Sequence, residues 1–318
     1  MLSIFEYGRL LFVLLLLGLG GCKGLGGGGG EALKTASAGD VVAAAGDAVS
    51  GLLISSKPDY RLPGKVTLCG ETFDLSRRPV YERLEFEFIR VVNHPAQVAL
   101  WQRRAAVYFP YIEAELNAAG LPDDLKYLAV AESDLRPSVS SPAGALGLWQ
   151  FMPATARHFK LKVDKKIDQR QLPEPLMGAA VAYFRSLNKK FGSWSLAMAA
   201  YNAGDGRVAK AVAAQGHNNY FDLDLPRETE RYVYRIAAIK VVMENAAGYG
   251  FTEPVPARYR PVGYAERTVE LPAKGQGQWT DVAKKLGYDY KTVRVMNPHV
   301  RQYPLAGSYE LRVPAEKR

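Results

Sequence analysis

The feature that most constrains the fold is a punctuated helical periodicity from about Ser76 to Gly250. Apolar residues recur there at three- and four-residue spacing over Val80–Val92, Ala96–Ala119, Pro122–Ser133, Pro175–Lys190, Trp194–Tyr201, Arg207–Gln215 and Pro226–Ala247. Gly120 stops the second run and Pro122 opens the third. Glycine accepts the left-handed conformation past a helix end, and proline lacks an N–H that a first turn leaves unbonded anyway. This pattern predicts a mainly α domain over 76–250. With 48% apolar residues in 318, the chain can bury a sizeable core and still hold a small second module.

The flanks differ in kind. Three prolines between Pro254 and Pro261 predict a linker over 251–261. Beyond it, Thr268–Leu271 and Tyr309–Val313 read as strands, with Trp279–Leu286 and Lys291–Met296 as short helices between them. The expectation is a small βααβ module over 262–318 with Val282, Leu286, Val293 and Leu311 in its core. At the other end, Arg9 precedes the apolar run LLFVLLLLGLGG, too short to span a bilayer comfortably, which reads as the core of an export signal over 1–21. Residues 22–75 begin with a glycine-rich tether and continue into a Pro/Gly-punctuated arm.

Leu19-Gly20-Gly21-Cys22 resembles the lipobox of bacterial lipoprotein signals. The resemblance implies cleavage before Cys22 and a lipid anchor on it. Lys23 after the cysteine implies sorting to the outer membrane, facing the periplasm. A plain secretory signal or an uncleaved anchor is the alternative. With Cys22 acylated, Cys69 has no partner, so no intramolecular disulfide is expected and Cys69 becomes a buried or loop thiol. The net charge of +9 suits an anionic membrane surface or wall polymer better than nucleic acid in an exported chain, although a solvated basic face needs no role. Four His and two Cys with no H-E-x-x-H or paired C-x-x-C give no support for a metal site, and no cofactor is expected.

One acid stands out. Leu125, Leu128, Ala129 and Glu132 share one helical face, and that face is the oily one. Desolvation and the negative end of the helix dipole both raise the pKa of a carboxyl placed there, which is what a general acid requires. On spacing alone, a glutamate that reaches solvent or meets a basic side chain is the simpler reading.

The neighbouring motifs bear on that choice. SSPAGALGLWQFMPATA over 140–156 sets Gly144 and Gly147 around a turn, where backbone can approach another helix or a ligand closely. AAYNAGDGRV over 199–208 ends a helix at Tyr201-Asn202, and LPRETERYV over 225–233 opens one with Glu228 in its first turn. Each is explicable alone as capping or core.

Read in order, E-S-x-L, S-P-x-G-A-x-G-L-x-Q-x-M-P-x-T-A, A-Y-N-A-G and E-T-x-x-Y-V resemble the family 1 lytic transglycosylases of the membrane-bound D type, over about residues 80–250. The resemblance implies a lysozyme-like (SLT, goose-type) helical fold, Glu132 as catalytic acid/base, and a cleft lined by Ser141, Gln150, Met152, Tyr201, Asn202 and Glu228. It further implies peptidoglycan glycan strands as substrate. Glu132 would protonate the MurNAc–GlcNAc bridging oxygen and then deprotonate the muramic C6 hydroxyl, giving a 1,6-anhydro end. A monomer is expected. Trp149 stands where many members have Met, and the family's D-E-R-x-D segment is Asp168-Gln169-Arg170-Gln171-Leu172 here. That second departure puts the loop leading into Pro175 in doubt.

The 262–318 segment resembles a degenerate LysM module, a binder of N-acetylglucosamine polymers, with Gly275-Gln276-Gly277 replacing the usual Gly-Asp-Thr turn. Two other functions compete: a hydrolytic lysozyme-like muramidase, which needs a second carboxylate across the cleft, and a non-catalytic wall-binding lipoprotein.

Overall fold

The computed structural model describes residues 59–272 and 277–315. The expected signal, Cys22 and the tether lie outside the described residues. The arm is visible from Asp59. It forms a small antiparallel hairpin, β1 (Thr67–Leu68) with β2 (Glu71–Thr72), turned at Cys69 and Gly70. The Cys69 amide donates to Asp124 Oδ2 at 2.7 Å. Its free thiol is buried, and burial pushes its pKa up. Phe73 packs edge-on against Phe221 and Tyr234, which pins the arm to the helical core.

Ten α-helices make the described chain mainly helical, as expected. Eight precede the C-terminal segment: α1 (Arg78–Val92), α2 (Pro95–Ala118), α3 (Lys126–Ser133), α4 (Pro153–His158), α5 (Pro173–Phe191), α6 (Trp194–Ala203), α7 (Asp205–Gln215) and α8 (Arg227–Glu244). Helix α4 was not expected, because it is short and buries only Ala156, too little to produce a periodic signal. Helix α8 packs against α1, α3 and α6 and buries Tyr232, Val233, Ile236, Ala237 and Ile239. The α6 N-terminus is held from the arm. Glu71 accepts from the amides of Trp194 at 2.5 Å and Ser195 at 3.1 Å, where the helix dipole favours a carboxylate.

The C-terminal segment follows the expected order, β3 (Tyr264–Leu271), α9 (Trp279–Leu286), α10 (Tyr290–Met296) and β4 (Gly307–Pro314). Its strands pair antiparallel from Tyr264↔Pro314 to Leu271↔Gly307. Strand β3 begins earlier than the sequence suggested, because its first half is exposed or half-exposed and shows no in/out alternation. Val282, Val293 and Leu311 are buried and Leu286 packs against them.

This segment also meets the helical part beyond its linker. Ile167 bridges Val300, the Asp168 amide donates to the His299 carbonyl at 2.8 Å, and Arg301 N donates to Lys166 O at 2.8 Å. Arg312 pairs with Glu174 at 2.7 Å. No helix among the described residues is long and apolar enough to cross a membrane.

Candidate active site

Helix α3 carries Glu132 in its last turn. Tyr127, Leu128, Ala129 and Val130 are all buried, so this helix is enclosed around its circumference rather than on one face. It stops abruptly. Asp134 and Leu135 take left-handed φ values of 54° and 56°, uncommon for residues with side chains. Trp101 Nε1 donates to Asp134 Oδ1 at 2.8 Å and Arg104 to the Asp134 carbonyl at 2.9 Å, which hold this turn in place.

Glu132 itself is half-buried. Burial pushes its carboxyl up to about 7, opposed by a hydrogen bond from the Tyr232 hydroxyl and by the charge of Arg235, and assisted by the charge of Glu228. The side chain that orients Glu132 is therefore Tyr232, a buried residue of α8 that the sequence reading did not single out. It lies four residues after Glu228 on the same helical face, and that spacing within E-T-x-x-Y-V was the available signal.

Around the acid, α8 carries a charged cluster. Glu87 of α1 is 2% exposed and accepts from Arg231 Nε at 2.5 Å, with Arg235 Nε 3.9 Å from its other oxygen. Arg235 also pairs with Glu228 at 3.1 Å, and the Glu228 side chain is 61% exposed. Glu228 thus faces solvent beside an arginine.

Tyr201 and Asn202 close α6 nearby. The Tyr201 hydroxyl donates to the Trp149 carbonyl at 2.5 Å, and burial and then the charge of Glu132 raise its pKa. Asn202 Oδ1 accepts from Thr229 Oγ1 at 3.0 Å, joining α6 to the first turn of α8. Both residues act here as struts between the elements around Glu132.

The third wall is the loop 139–152. Ser133 Oγ ties it to α3 by donating to the Leu148 carbonyl at 2.8 Å. Gln150, at φ 47°, spends both amide hydrogens on the Val139 and Gly147 carbonyls, each at 2.9 Å. Ser141 Oγ accepts from the Ala145 amide at 3.0 Å. What these two residues retain for a ligand is the Gln150 carbonyl oxygen and the Ser141 hydroxyl hydrogen. Met152 is 41% exposed at the start of α4.

Gly147 has φ +90°, and a Cβ there would stand 2.0 Å from the Arg170 carbonyl oxygen. The close approach foreseen for this glycine is to protein backbone. Arg170 is also what secures the loop: its Nη1 donates to the Gly144 and Phe151 carbonyls at 2.8 Å each, and its guanidinium pairs with buried Asp168 at 2.8 Å. Arg301 adds a second cation to Asp168 at 3.2 Å. The loop left in doubt by the altered Asp168–Leu172 motif is thus firmly tied.

Residues 109–223 match the transglycosylase SLT domain. The chain is 30% identical over 210 residues to the membrane-bound lytic murein transglycosylase D of Escherichia coli, covering 64% of this chain and 45% of that protein. It is 40% identical over 86 residues to the soluble lytic murein transglycosylase of Salmonella typhimurium, covering 26% and 13%. The chain therefore spans less than half the length of these curated relatives. The crystal structure of the 70 kDa soluble lytic transglycosylase of Escherichia coli overlaps 53% of this chain and 31% of its own, at 21% identity and a TM-score of 0.39. Residues 109–223, which include Glu132 and the loop facing it, are thus the part of the chain that is similar to the transglycosylase SLT domain.

Proposed function

We propose that the protein is a peptidoglycan lytic transglycosylase that cleaves the bond between N-acetylmuramic acid and N-acetylglucosamine without water, with Glu132 as its acid and base. The observation that carries this reading is a single half-buried carboxyl, raised to about 7 and held by the Tyr232 hydroxyl at the end of α3. Near neutral pH such a group is populated in both protonation states, so it can give a proton and then take one. Protonated Glu132 donates to the bridging oxygen as the glycosidic bond breaks. The carboxylate that remains takes the proton of the muramic C6 hydroxyl, whose oxygen closes on C1 to give the 1,6-anhydro ring. An internal nucleophile avoids the entropy cost of positioning a water.

The other acids near Glu132 support a one-carboxylate scheme. Glu87 is buried against Arg231, and Glu228 is exposed and paired with Arg235. Glu228 acts through charge. Ser141, Gln150 and Met152 line the sugar path, and Tyr201 and Asn202 hold the cleft walls in register. In the C-terminal segment, a cavity of about 270 Å³ has Trp279 in its wall with Arg294 stacked 4.5 Å from the ring, and Tyr290 and Tyr303 exposed at 51% and 64%. Exposed tyrosines offer stacking faces for N-acetylglucosamine, as a LysM-like binder needs. The relative named as membrane-bound, together with Cys22 and Lys23, supports a lipid anchor to the outer membrane with the enzyme facing the periplasm.

Mass analysis of the material released from purified sacculi tests the activity. Anhydromuramic ends are expected. Reducing ends would make the protein a muramidase, and uncut sacculi would leave it a wall binder.

A further inference from the structure

A second cavity, of about 440 Å³, opens where the segment 162–175 meets the C-terminal sheet. Lys162, Lys166 and Gln169 lie on one side, and Glu266, His299 and Arg312 on the other. Two of these wall residues are more than nine-tenths buried, His299 at 6% and Arg312 at 8% exposure, and each keeps a buried nitrogen without a hydrogen-bond partner, His299 Nδ1 and Arg312 Nε. An unpaired buried polar atom is costly, because it has lost its hydrogen bonds to water and gained none in return. Two residues with such atoms in the wall of one cavity mark that wall as polar.

The wall also says which kind. Arg312 donates through Nη1 to Glu174 at 2.7 Å and lies over the Tyr264 ring at 4.0 Å, while Nε reaches Glu266 only at 3.8 Å, beyond hydrogen-bond range. Burial and the charge of Arg312 push the His299 imidazole down to about 4, so it offers a hydrogen bond and no charge. Lys162 and Lys166 are exposed and form no ion pair among the described residues, and Glu310 stands exposed at the module edge of the same cavity. Two lysines without an ion pair among the described residues on one wall, and Glu266 and Glu310 on the other beside an Arg312 already engaged by Glu174, suit a ligand that bears both signs. A neutral sugar fits poorly, because the aromatic rings in this wall, His299 and Tyr309, are both buried and present no open face for stacking.

We propose that this cavity binds a peptide with a free carboxylate and a free ammonium group, the peptide portion of the wall polymer whose glycan occupies the cleft. The identity of that polymer rests on the function proposed above. The carboxylate is received by Lys162 and Lys166, the ammonium by Glu266 and Glu310, and a backbone amide or carbonyl by His299. The same segment carries Asp168 and Arg170, so the peptide sits on the element that secures the cleft loop.

The test uses the full-length chain and a sugar-free tetrapeptide of alanine, glutamate, lysine and alanine with its charges free, titrated calorimetrically. A version amidated at its carboxyls and acetylated at its amines is the control. The free peptide should bind roughly tenfold more tightly than the capped one, and Lys162→Glu/Lys166→Glu, both at the surface, should weaken it by a similar factor. His299→Gln, checked for an unchanged melting temperature, should weaken it as well. Equal binding of the two peptides, or an affinity indifferent to the lysine reversals, overturns the proposal. So does tetra-N-acetylglucosamine binding that the lysine reversals weaken, since the cavity would then be a glycan site. None of these readouts involves bond cleavage. A chain that binds the peptide but leaves sacculi intact therefore refutes the transglycosylase reading and leaves this site standing.

Discussion

Glu132→Gln should separate catalysis from stability in opposite directions. The Glu132 carboxyl has an ordinary pKa of 4.5 and is raised to about 7 in the fold, chiefly by burial. A raised acid binds its proton more tightly in the native state than in the unfolded one. Its presence therefore costs nothing below about pH 4.5, costs progressively more as pH climbs to 7, and reaches a plateau above that. The full shift corresponds to about 3 kcal/mol, and about half of that remains after allowing for the solvent that reaches a half-buried carboxyl. Glutamine keeps the shape, and its carbonyl can still accept from the Tyr232 hydroxyl. The variant should match the parent in Tm at pH 4.5 and melt about 3–6 °C higher at pH 8. Turnover of sacculi should fall by roughly a hundredfold or more, since the amide can neither give nor take the proton. The assay is thermal melting of both proteins across pH 4.5 to 8, beside anhydro-product release at one pH. A Tm difference that does not change with pH would refute the burial argument, and product release near normal would refute the role given to this residue.

Other substitutions bear on the surrounding shell. Tyr232→Phe removes a hydrogen bond that stabilises the carboxylate form, so the alkaline limb of the activity profile should move up by about one pH unit, read from kcat/KM against pH. Glu228→Gln should cost less than Glu132→Gln in turnover, because an exposed carboxylate paired with Arg235 acts only through its charge; equal losses in the same sacculus assay would make it a proton-transfer partner. Gly147→Ala must move the Arg170 carbonyl or the loop itself, and should lower stability by about 2–3 kcal/mol in urea titration, with activity lost in proportion to the loop's displacement. Asp168→Ala leaves Arg170 buried without its partner, and a cost of about 3–5 kcal/mol is expected by the same measurement.

The long helices and the βααβ order were legible because each buries a repeating face large enough to impose a period on the residues. Helix α4 and the β1–β2 hairpin were not, since elements of six and two residues hold no full period. Glu132 was legible as an acid on an apolar face. Its partner Tyr232 lies 100 residues away, and only the packing of α8 on α3 brings them together. The Asp168–Leu172 segment is the more instructive case. Against the D-E-R-x-D pattern of the family it resembles, this chain keeps Asp168 and Arg170, the buried pair that secures the cleft loop. Where the pattern has a second acid, Gln169 Oε1 accepts from the Lys162 amide at 2.7 Å, a task that needs an acceptor oxygen and no charge. Where it ends in Asp, Leu172 occupies the N-cap of α5 and offers no side-chain cap. Pro173 follows at the first helical position, where its missing N–H lowers the number of unbonded amides in the first turn by one and its fixed φ suits the helix start. The two departures fall where an amide or a proline meets the backbone's need, and the two retained residues are those whose charges are buried against each other. A motif read as a string counts four positions alike, whereas the energetics weigh the buried pair far above the other two.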